Sequence, residues 1–128
     1  MKRGFSIIEL IVVILIICIL AAISIIGYMK IINRTKDTSV MNNMRVLRVS
    51  LGVYSCSNDG LYPKNSDTIS LHQYFPKNIR NPYGGQSWLT LSSSPNIGEV
   101  YFWSDATGDS ISIKGYGKSG KLDFEINE

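Results

Sequence analysis

The sequence contains few of the residues from which catalytic and metal sites are built. Among 128 residues there is one histidine, His72, and there are two cysteines, Cys18 and Cys56. A metal site or a nucleophile dyad needs several such groups together, and no second histidine or cysteine pair accompanies His72. We therefore expect no enzyme activity, no resident metal and no cofactor. The length also excludes a large enzyme with two lobes.

The two cysteines do not indicate a redox compartment. Cys18 and Cys56 are 38 positions apart, which on one continuous helix corresponds to about 57 Å. Disulfide-bonded residues have Cα atoms within about 7 Å of each other. An intramolecular disulfide is therefore excluded if the helix is continuous.

Charge is absent from one long segment. Residues 10–29 contain no Asp, Glu, Lys or Arg, and about 20 apolar residues in a helix cross the ~30 Å hydrocarbon core of a bilayer. Lys2 and Arg3 precede this segment, so the positive-inside rule predicts a cytoplasmic N-terminus and an extracytoplasmic remainder. A secretory signal peptide is the competing interpretation, but the apolar run exceeds the ~7 to 15 residues usual there.

The overall charge gives no support for nucleic-acid binding. The formal net charge is +3, and Lys2 and Arg3 supply two of those positive charges. Further along, Arg34, Lys36 and the pair Arg45 and Arg48 have no aromatic residues interleaved with them. Proteins that bind single-stranded nucleic acid combine cations with stacking aromatic residues. These basic residues are therefore predicted to form a solvated helix face.

Glu9 is the one side chain between residues 5 and 29 that carries a charge at neutral pH. A carboxylate inside an apolar helix costs several kcal/mol unless it finds a partner or reaches the interface. No side chain of residues 10–29 can supply a cation, but a cut after Gly4 would create an α-amine on Phe5, about 6 Å along a helix from Glu9. The amine of an axially shifted neighbouring copy could neutralise Glu9, and this pairing would set the stagger between subunits.

The order of these features resembles a known family. A basic leader, Gly4, the aromatic Phe5, Glu9 and an unbroken apolar tail follow one another in residues 2–23, as in the N-terminal segment of type IV pilins and type II secretion pseudopilins. The resemblance implies that a membrane-embedded prepilin peptidase cuts between Gly4 and Phe5 and N-methylates Phe5. It also implies that Glu9 neutralises the amine of the adjacent subunit during assembly. Many members carry a proline late in the apolar helix, whereas residues 22–36 contain none.

The resemblance implies a structural subunit that forms a helical homo-oligomer, a filament. Its partners would be the prepilin peptidase, the membrane, and a cytoplasmic ATPase with an assembly platform. It would wait in the cytoplasmic membrane before it enters a cell-surface or periplasmic filament. Surface pilus, secretion pseudopilus and competence pilus remain open, as does the major or minor role of the subunit. The alternatives are a signal-anchored domain that never polymerises and a DNA-uptake pilin with a DNA-binding duty.

Helical periodicity continues beyond the apolar segment. The apolar residues there recur at spacings of 4, 3, 4 and 3, which predicts one buried stripe, and Cys56 to Gly60 reads as a stop. We therefore predict a helix over residues 5–57. The stripe consists of Val40, Met44, Leu47, Leu51 and Tyr54.

The remainder of the sequence predicts a small head. A short apolar group, Ile69, Leu71, Tyr74 and Phe75, could form one or two helical turns, and residues 81–85 (Asn-Pro-Tyr-Gly-Gly) predict a turn. Strands are expected at residues 100–104, 110–116 and 121–126, with a weaker one at 88–91. Short connections favour antiparallel hairpins, and the helix stripe is the available cover for their dry face.

The expected fold class is therefore α+β, a pilin-like long N-terminal helix packed against a small antiparallel sheet. The expected segments are a leader at residues 1–4, a membrane-spanning and filament-core helix at 5–29, an amphipathic continuation at 30–57 and a globular head at 58–128.

Two motifs in the head resemble ligand sites. Residues 115–120 suggest a phosphate-binding loop, but Ser112 stands where the first glycine of that motif is required, so a hairpin turn is expected. Asp105 and Asp109 could donate oxygens to calcium, a site that major pseudopilins carry near the C-terminus. Because calcium needs six to eight oxygen ligands and the last loop is basic, calcium binding is the minority hypothesis.

Overall fold

A computed structural model of the chain describes residues 4–64 and 72–127. Its elements are one α-helix, a short 3-10 helix and four strands that form one sheet. Internal contacts divide the chain into two units, Met1–Arg34 and Thr35–Glu128. We call them the stem and the head.

The helix, α1, spans Ile7–Cys56 and is 50 residues long, so the predicted helix over residues 5–57 is confirmed to within two residues. Ser6 is the N-cap, because its carbonyl accepts the first helical hydrogen bond from the Leu10 amide at 3.3 Å. At the other end the Gly60 amide bonds the Ser55 carbonyl at 3.0 Å, with Asp59 and Gly60 both at positive φ. This left-handed cap ends the helix.

The stem contains the apolar part of α1, and residues 4–31 of it are exposed. An 18-residue window of α1 has a mean hydropathy of 3.4, and none of it is buried. The polar Ser24 is accommodated because its hydroxyl donates to the Leu20 carbonyl at 2.9 Å. The stem is thus long and apolar enough to cross a membrane.

The head contains a four-stranded sheet in the order β1-β2-β3-β4. The strands are β1 Leu89–Thr90, β2 Val100–Ser104, β3 Ile111–Gly117 and β4 Gly120–Asn127. The predicted strands at 100–104, 110–116 and 121–126 are confirmed to within one residue at each end.

The pairing of β2, β3 and β4 is antiparallel, as predicted. The two-residue β1 instead pairs parallel with β2, so the sheet is mixed. Residues 91–99 connect the end of β1 to the start of β2, so that both strands run in the same direction. A tight hairpin turn would instead make the pair antiparallel. The α+β pilin-like fold class is confirmed with this one difference.

The core of the head lies between α1 and the sheet. All four aliphatic members of the predicted stripe are fully buried, and Tyr54 packs against them half-buried. The helix approaches β3 closely, because a Cβ on Gly115 would lie 2.6 Å from the Met44 sulfur. The buried hydrophobic residues are Val40, Met44, Leu47, Leu51, Val100, Phe102, Ile111 and Ile113.

Side chains of α1 hold the chain between α1 and β1 to the helix through hydrogen bonds. The Asn43 amide donates to the Arg80 carbonyl at 3.1 Å, and the Ser50 hydroxyl donates to the Tyr74 carbonyl at 3.0 Å. A single 3-10 turn, His72–Tyr74, forms part of the short helix predicted there, whereas Ile69 and Leu71 lie outside the described residues.

Candidate functional site

The predicted cleavage site lies in exposed, non-helical backbone. Gly4, Phe5 and Ser6 precede α1, and all three are exposed. No heavy atom lies within 4 Å of the position that a Cβ on Gly4 would take, and the Phe5 side chain is 76% exposed. A peptidase must bind the backbone on both sides of the bond that it cuts. The Gly4–Phe5 bond meets that requirement without unfolding of the helix.

Glu9 lies in the first turn of α1 and points back toward the N-terminus. One of its carboxylate oxygens accepts a hydrogen bond from the Ser6 amide at 3.4 Å. This is the carboxylate half of a capping box, in which the third helical residue binds the N-cap amide. The sequence pattern Ser-x-x-Glu, residues 6–9, could have predicted this contact, but the charge argument did not consider it. The Glu9 carboxylate is therefore held beside the backbone amide of Ser6, the residue after Phe5.

The carboxylate also lies where the helix favours negative charge. The N-terminal end of a helix carries a partial positive charge from its unsatisfied amides, and α1 has Glu9 as the acidic residue of its first turn. A new amine on Phe5 would add a full positive charge one residue before Ser6. The arrangement can thus hold a carboxylate and an ammonium group close together at the end of the stem.

The side chains of the stem are exposed on every face of the helix. Ile8, Ile16 and Ile26 are 73%, 52% and 78% exposed. Helices that are apolar all round are buried in a large protein or in a membrane, and residues 7–31 of this chain are exposed. The stem therefore requires lipid or other helices around it.

The calcium hypothesis finds no ligand cluster in the described residues. The Asp105 carboxylate accepts hydrogen bonds from the Thr107 hydroxyl at 2.7 Å and from the amides of Gly108 at 2.6 Å and Asp109 at 3.0 Å. The hydrogen bond from Thr107, followed by the backbone bonds, lowers the pKa of Asp105. The carboxylate oxygens of Asp105 are thus hydrogen-bonded to groups of their own loop. No group of three or more His, Cys, Asp or Glu residues suited to a metal occurs in the described chain.

The other two groups examined in the sequence have ordinary positions. Residues 117–120 form the hairpin turn between β3 and β4, as predicted, rather than a phosphate-binding loop that opens a helix. Cys18 and Cys56 are both free and exposed, in agreement with the excluded disulfide.

A half-buried polar cluster in the head was missed by the sequence analysis. The Tyr83 hydroxyl donates to the Asp37 carboxylate at 2.6 Å, and the Lys118 amide donates to the same oxygen at 3.4 Å. The Lys36 ammonium lies 5.1 Å from the centre of the Tyr83 ring. Burial, helped by the hydrogen bond and negative charge of Asp37, raises the pKa of Tyr83 to about 12. The cluster fastens two loops of the head to α1.

Asn81 organises the loop that carries Tyr83. Its side chain is 7% exposed and donates to the carbonyls of Ser87 and Ile97, both at 3.0 Å. Its oxygen accepts from the Tyr83 amide at 2.8 Å. The turn predicted at residues 81–85 is present, with the Gly84 amide bonded to the Asn81 carbonyl at 3.1 Å. A turn signal in sequence does not reveal such long-range partners.

Comparison with known proteins identifies the N-terminal segment. Residues 1–25 match the family described as the prokaryotic N-terminal methylation motif. No curated protein and no solved structure matches the chain. The motif is characteristic of type IV pilins and pseudopilins, so the resemblance found in the sequence is confirmed. The apolar helix and the motif together indicate membrane anchoring. Residues 1–25 of the chain therefore carry the prokaryotic N-terminal methylation motif.

Proposed function

We propose that the protein is a structural subunit of a type IV filament, either a pilus pilin or a type II secretion pseudopilin. The observation that carries the proposal is an 18-residue apolar window of α1 with a mean hydropathy of 3.4 and no buried residue, in a chain whose residues 1–25 match a methylation motif. Lipid covers this helix before assembly, and the helices of identical subunits cover it afterwards. Burial among other apolar helices compensates for leaving the bilayer.

Processing takes place at the exposed end of the stem. The prepilin peptidase cuts between Gly4 and Phe5 and methylates the new N-terminal amine of Phe5. The exposed backbone of residues 4–6 supports this assignment. Removal of Lys2 and Arg3 also takes away the cations that hold the N-terminus at the cytoplasmic face, since charges flanking a span oppose its transfer.

Glu9 then pairs with the Phe5 amine of a neighbouring subunit. In the separate chain its carboxylate is already held at the first turn by the Ser6 amide at 3.4 Å. Pairing in an apolar environment favours a close contact of opposite charges, because an unpaired buried charge is strongly unfavourable. Only a neighbour with the correct axial offset relieves that penalty. Glu9 therefore sets the register of the filament.

The chain is a single-pass membrane protein until it assembles. Residues 5–29 span the bilayer or form the filament core, residues 30–57 continue the helix outside it, and residues 58–128 supply the rest of the extracytoplasmic head. A cytoplasmic ATPase and a membrane platform drive assembly, as the resemblance of residues 1–25 to pilins and pseudopilins implies.

Mass spectrometry of the chain extracted from membranes tests the processing step. The expected species begins at Phe5, carries one methyl group on the amine and lacks residues 1–4. A chain that keeps Lys2 and Arg3 would instead be a signal-anchored domain and would contradict the proposal. A steep salt-dependent affinity for DNA, lost when Arg45 and Arg48 are neutralised, would assign the subunit to a DNA-uptake filament.

Variants of Glu9 test the assembly step. Glu9→Ala and Glu9→Gln are expected to be cleaved and inserted in the membrane but to yield few filaments by electron microscopy. Ser24→Ala is the matched control, because it removes a polar group of the stem that only bonds its own helix. Normal filament yield from an uncleaved Glu9→Ala chain would refute the proposal.

A further inference from the structure

An apolar groove runs along one side of α1 in the head. It has a volume of about 340 Å³ and is lined chiefly by Val46, Val49, Val53, Tyr74 and Pro76. Val49 is 68% exposed and Val53 is 51% exposed, although the opposite side of the same helix forms the core. We use "apolar groove" for these five residues. Two valines on an exposed helix face leave apolar surface that a partner could cover.

The groove is preformed. The Ser50 hydroxyl fixes the Tyr74 carbonyl at 3.0 Å, and the rings of Tyr54 and Tyr74 meet edge to face with centres 5.6 Å apart. The far wall is thereby held against the helix that forms the near wall. A partner would lose little free energy in ordering this surface, which favours binding.

The outer edge of the groove is basic. Arg45 lines it, and Arg48 follows three residues later, on the same side of the helix. Both residues are exposed. A partner for this surface should therefore present an apolar side chain together with negative charge.

The end of the head has that combination. Leu61 is 43% exposed, and Asp59 and Asp109 are exposed beside it. The Tyr62 amide bonds the Gly108 carbonyl at 2.9 Å, which holds the two acidic segments together. We call Asp59, Leu61 and Asp109 the acidic tip.

Two further features affect the charge of the acidic tip. The last turn of α1 has no basic residue, so the partial negative charge of its carbonyls is not offset there. Lys64 lines a cavity shared with Asp59 and Leu61, and Asp105 stays ionised because its pKa is lowered. The two carboxylates of the acidic tip, together with that of Asp105, outnumber the one ammonium group of Lys64, so this end of the head is acidic.

We infer that the acidic tip of one subunit docks in the apolar groove of another copy of this chain. This inference rests on the proposed filament function and names a head-to-head contact within it. Leu61 enters between the exposed valines, while Asp59 and Asp109 face Arg45 and Arg48. The two surfaces are different, so the contact is heterologous, and a heterologous contact that does not close into a ring produces an open helical polymer.

The contact requires a definite axial offset. Val49 lies eight residues before Ser57, where α1 has ended, which is about 12 Å along the helix axis. The partner must be displaced by about this distance for its tip to lie beside the groove. A subunit in a helical filament has several neighbours at different offsets, so this neighbour can differ from the one that pairs with Glu9.

Cysteine cross-linking of assembled filaments tests the contact. The full chain first receives Cys18→Ser and Cys56→Ser, and then Val49→Cys with Leu61→Cys. Oxidation of filaments is expected to give a ladder of covalently linked subunits, because each subunit offers one thiol to each of two neighbours. Filaments of each variant with a single cysteine should give no covalently linked subunits after oxidation. The matched control combines Val49→Cys with Ser119→Cys, in the exposed turn between β3 and β4.

The outcomes distinguish this contact from the filament proposal. If filaments form but the Val49→Cys, Leu61→Cys chain gives no more product than the control, the contact is wrong and the filament function stands. Closed dimers without a ladder would also overturn it, since they indicate a symmetric interface. If the cysteine-free parent and the native chain both form no filament, the proposed function fails and the contact with it.

A charge exchange provides an independent measurement. Arg45→Glu and Asp109→Lys are each expected to lower filament yield roughly tenfold, because each places like charges opposite one another. The double variant is expected to restore most of the yield. Arg45 also has interactions within its own head, so thermal unfolding of each variant accompanies the yield. Equal losses in the double and single variants, with unchanged unfolding, would overturn the contact.

Discussion

The stem and the head share one helix but solve the problem of apolar surface in opposite ways. In the head, the four aliphatic residues of the stripe, Val40, Met44, Leu47 and Leu51, pack in the core with the sheet and have no solvent exposure. In the stem, every large apolar side chain from Ile7 to Ile31 in the described helix is at least 44% exposed. The chain is thus helical in both regions, whereas the burial of its apolar side chains changes completely between them. The comparison shows that one continuous helix can have a part that packs in a core and a part that stays exposed. The apolar side chains of the exposed part need molecules outside the chain to cover them.

The largest expected effect is on the head alone. Phe102→Ala removes a fully buried ring and should lower the free energy of unfolding by about 3–5 kcal/mol. Denaturant unfolding of the detergent-solubilised full chain, followed by near-ultraviolet circular dichroism, measures it. Trp103→Ala is the control on the same strand, because Trp103 is 42% exposed. Loss of membrane association in Phe102→Ala would contradict the separation of the two regions.

The second effect is on the stem alone. Ile16→Lys places a charge near the middle of the apolar segment and should cost about 2.5–3.5 kcal/mol of membrane insertion. The measurement is the fraction of chain that resists alkaline extraction from membranes. Ser119→Lys adds the same charge to an exposed turn of the head and should change nothing. A comparable loss in both variants would show that total charge, rather than position in the stem, controls insertion.

A smaller effect is expected from the polar interior of the head. Asn81→Ala leaves the carbonyls of Ser87 and Ile97 without their donor, which should destabilise the head by about 1–3 kcal/mol. Thermal unfolding measures the change. Asn42→Ala, on the exposed side of α1, is the control. An equal effect of the two changes would mean that Asn81 is not an organising residue.

The smallest effect concerns pH. The pKa of Tyr83 is raised to about 12, above its ordinary value of about 10, so folding favours the neutral phenol. This stabilisation is fully present below pH ~10 and is lost as the pH rises through about 12. Absorbance titration of tyrosinate should show one late-titrating tyrosine, absent in Tyr83→Phe and shifted downward in Asp37→Asn. Titration of Tyr83 near pH 10, together with the other tyrosines, would contradict its contact with Asp37.

Much of the fold was predictable because it follows from local periodicity. The bounds of α1, the buried stripe from Val40 to Leu51 and the strand Val100–Ser104 depend on residues near in sequence. The roles proposed for Gly4, Phe5 and Glu9 likewise rest on a contiguous stretch of sequence, and they stay predictions. The parallel pairing of β1 was not predicted, because two residues carry little signal and the pairing depends on the path of residues 91–99.

The polar interior was not predictable, because its partners are far apart in the chain. Asp37 and Tyr83 are 46 positions apart, and Asn43 and Arg80 are 37 positions apart. The close approach of α1 to Gly115 was also not predictable. It depends on glycine having no side chain, and a hydrophobic pattern in the sequence does not indicate such a contact. The capping contact of Glu9 is different, because its Ser-x-x-Glu signal is local and could have been recognised.

The sequence by itself determined that one end of the chain is apolar on all sides, that Glu9 lies near its start, and that helix is followed by strands. These properties depend on composition and on spacings of a few residues. Only the tertiary structure decided that α1 approaches the sheet closely at Gly115, which loops Asn81 and Asp37 hold, and where an exposed groove and an acidic tip are left on the head. Those outcomes depend on which distant residues come together, and packing and hydrogen bonding in three dimensions select them.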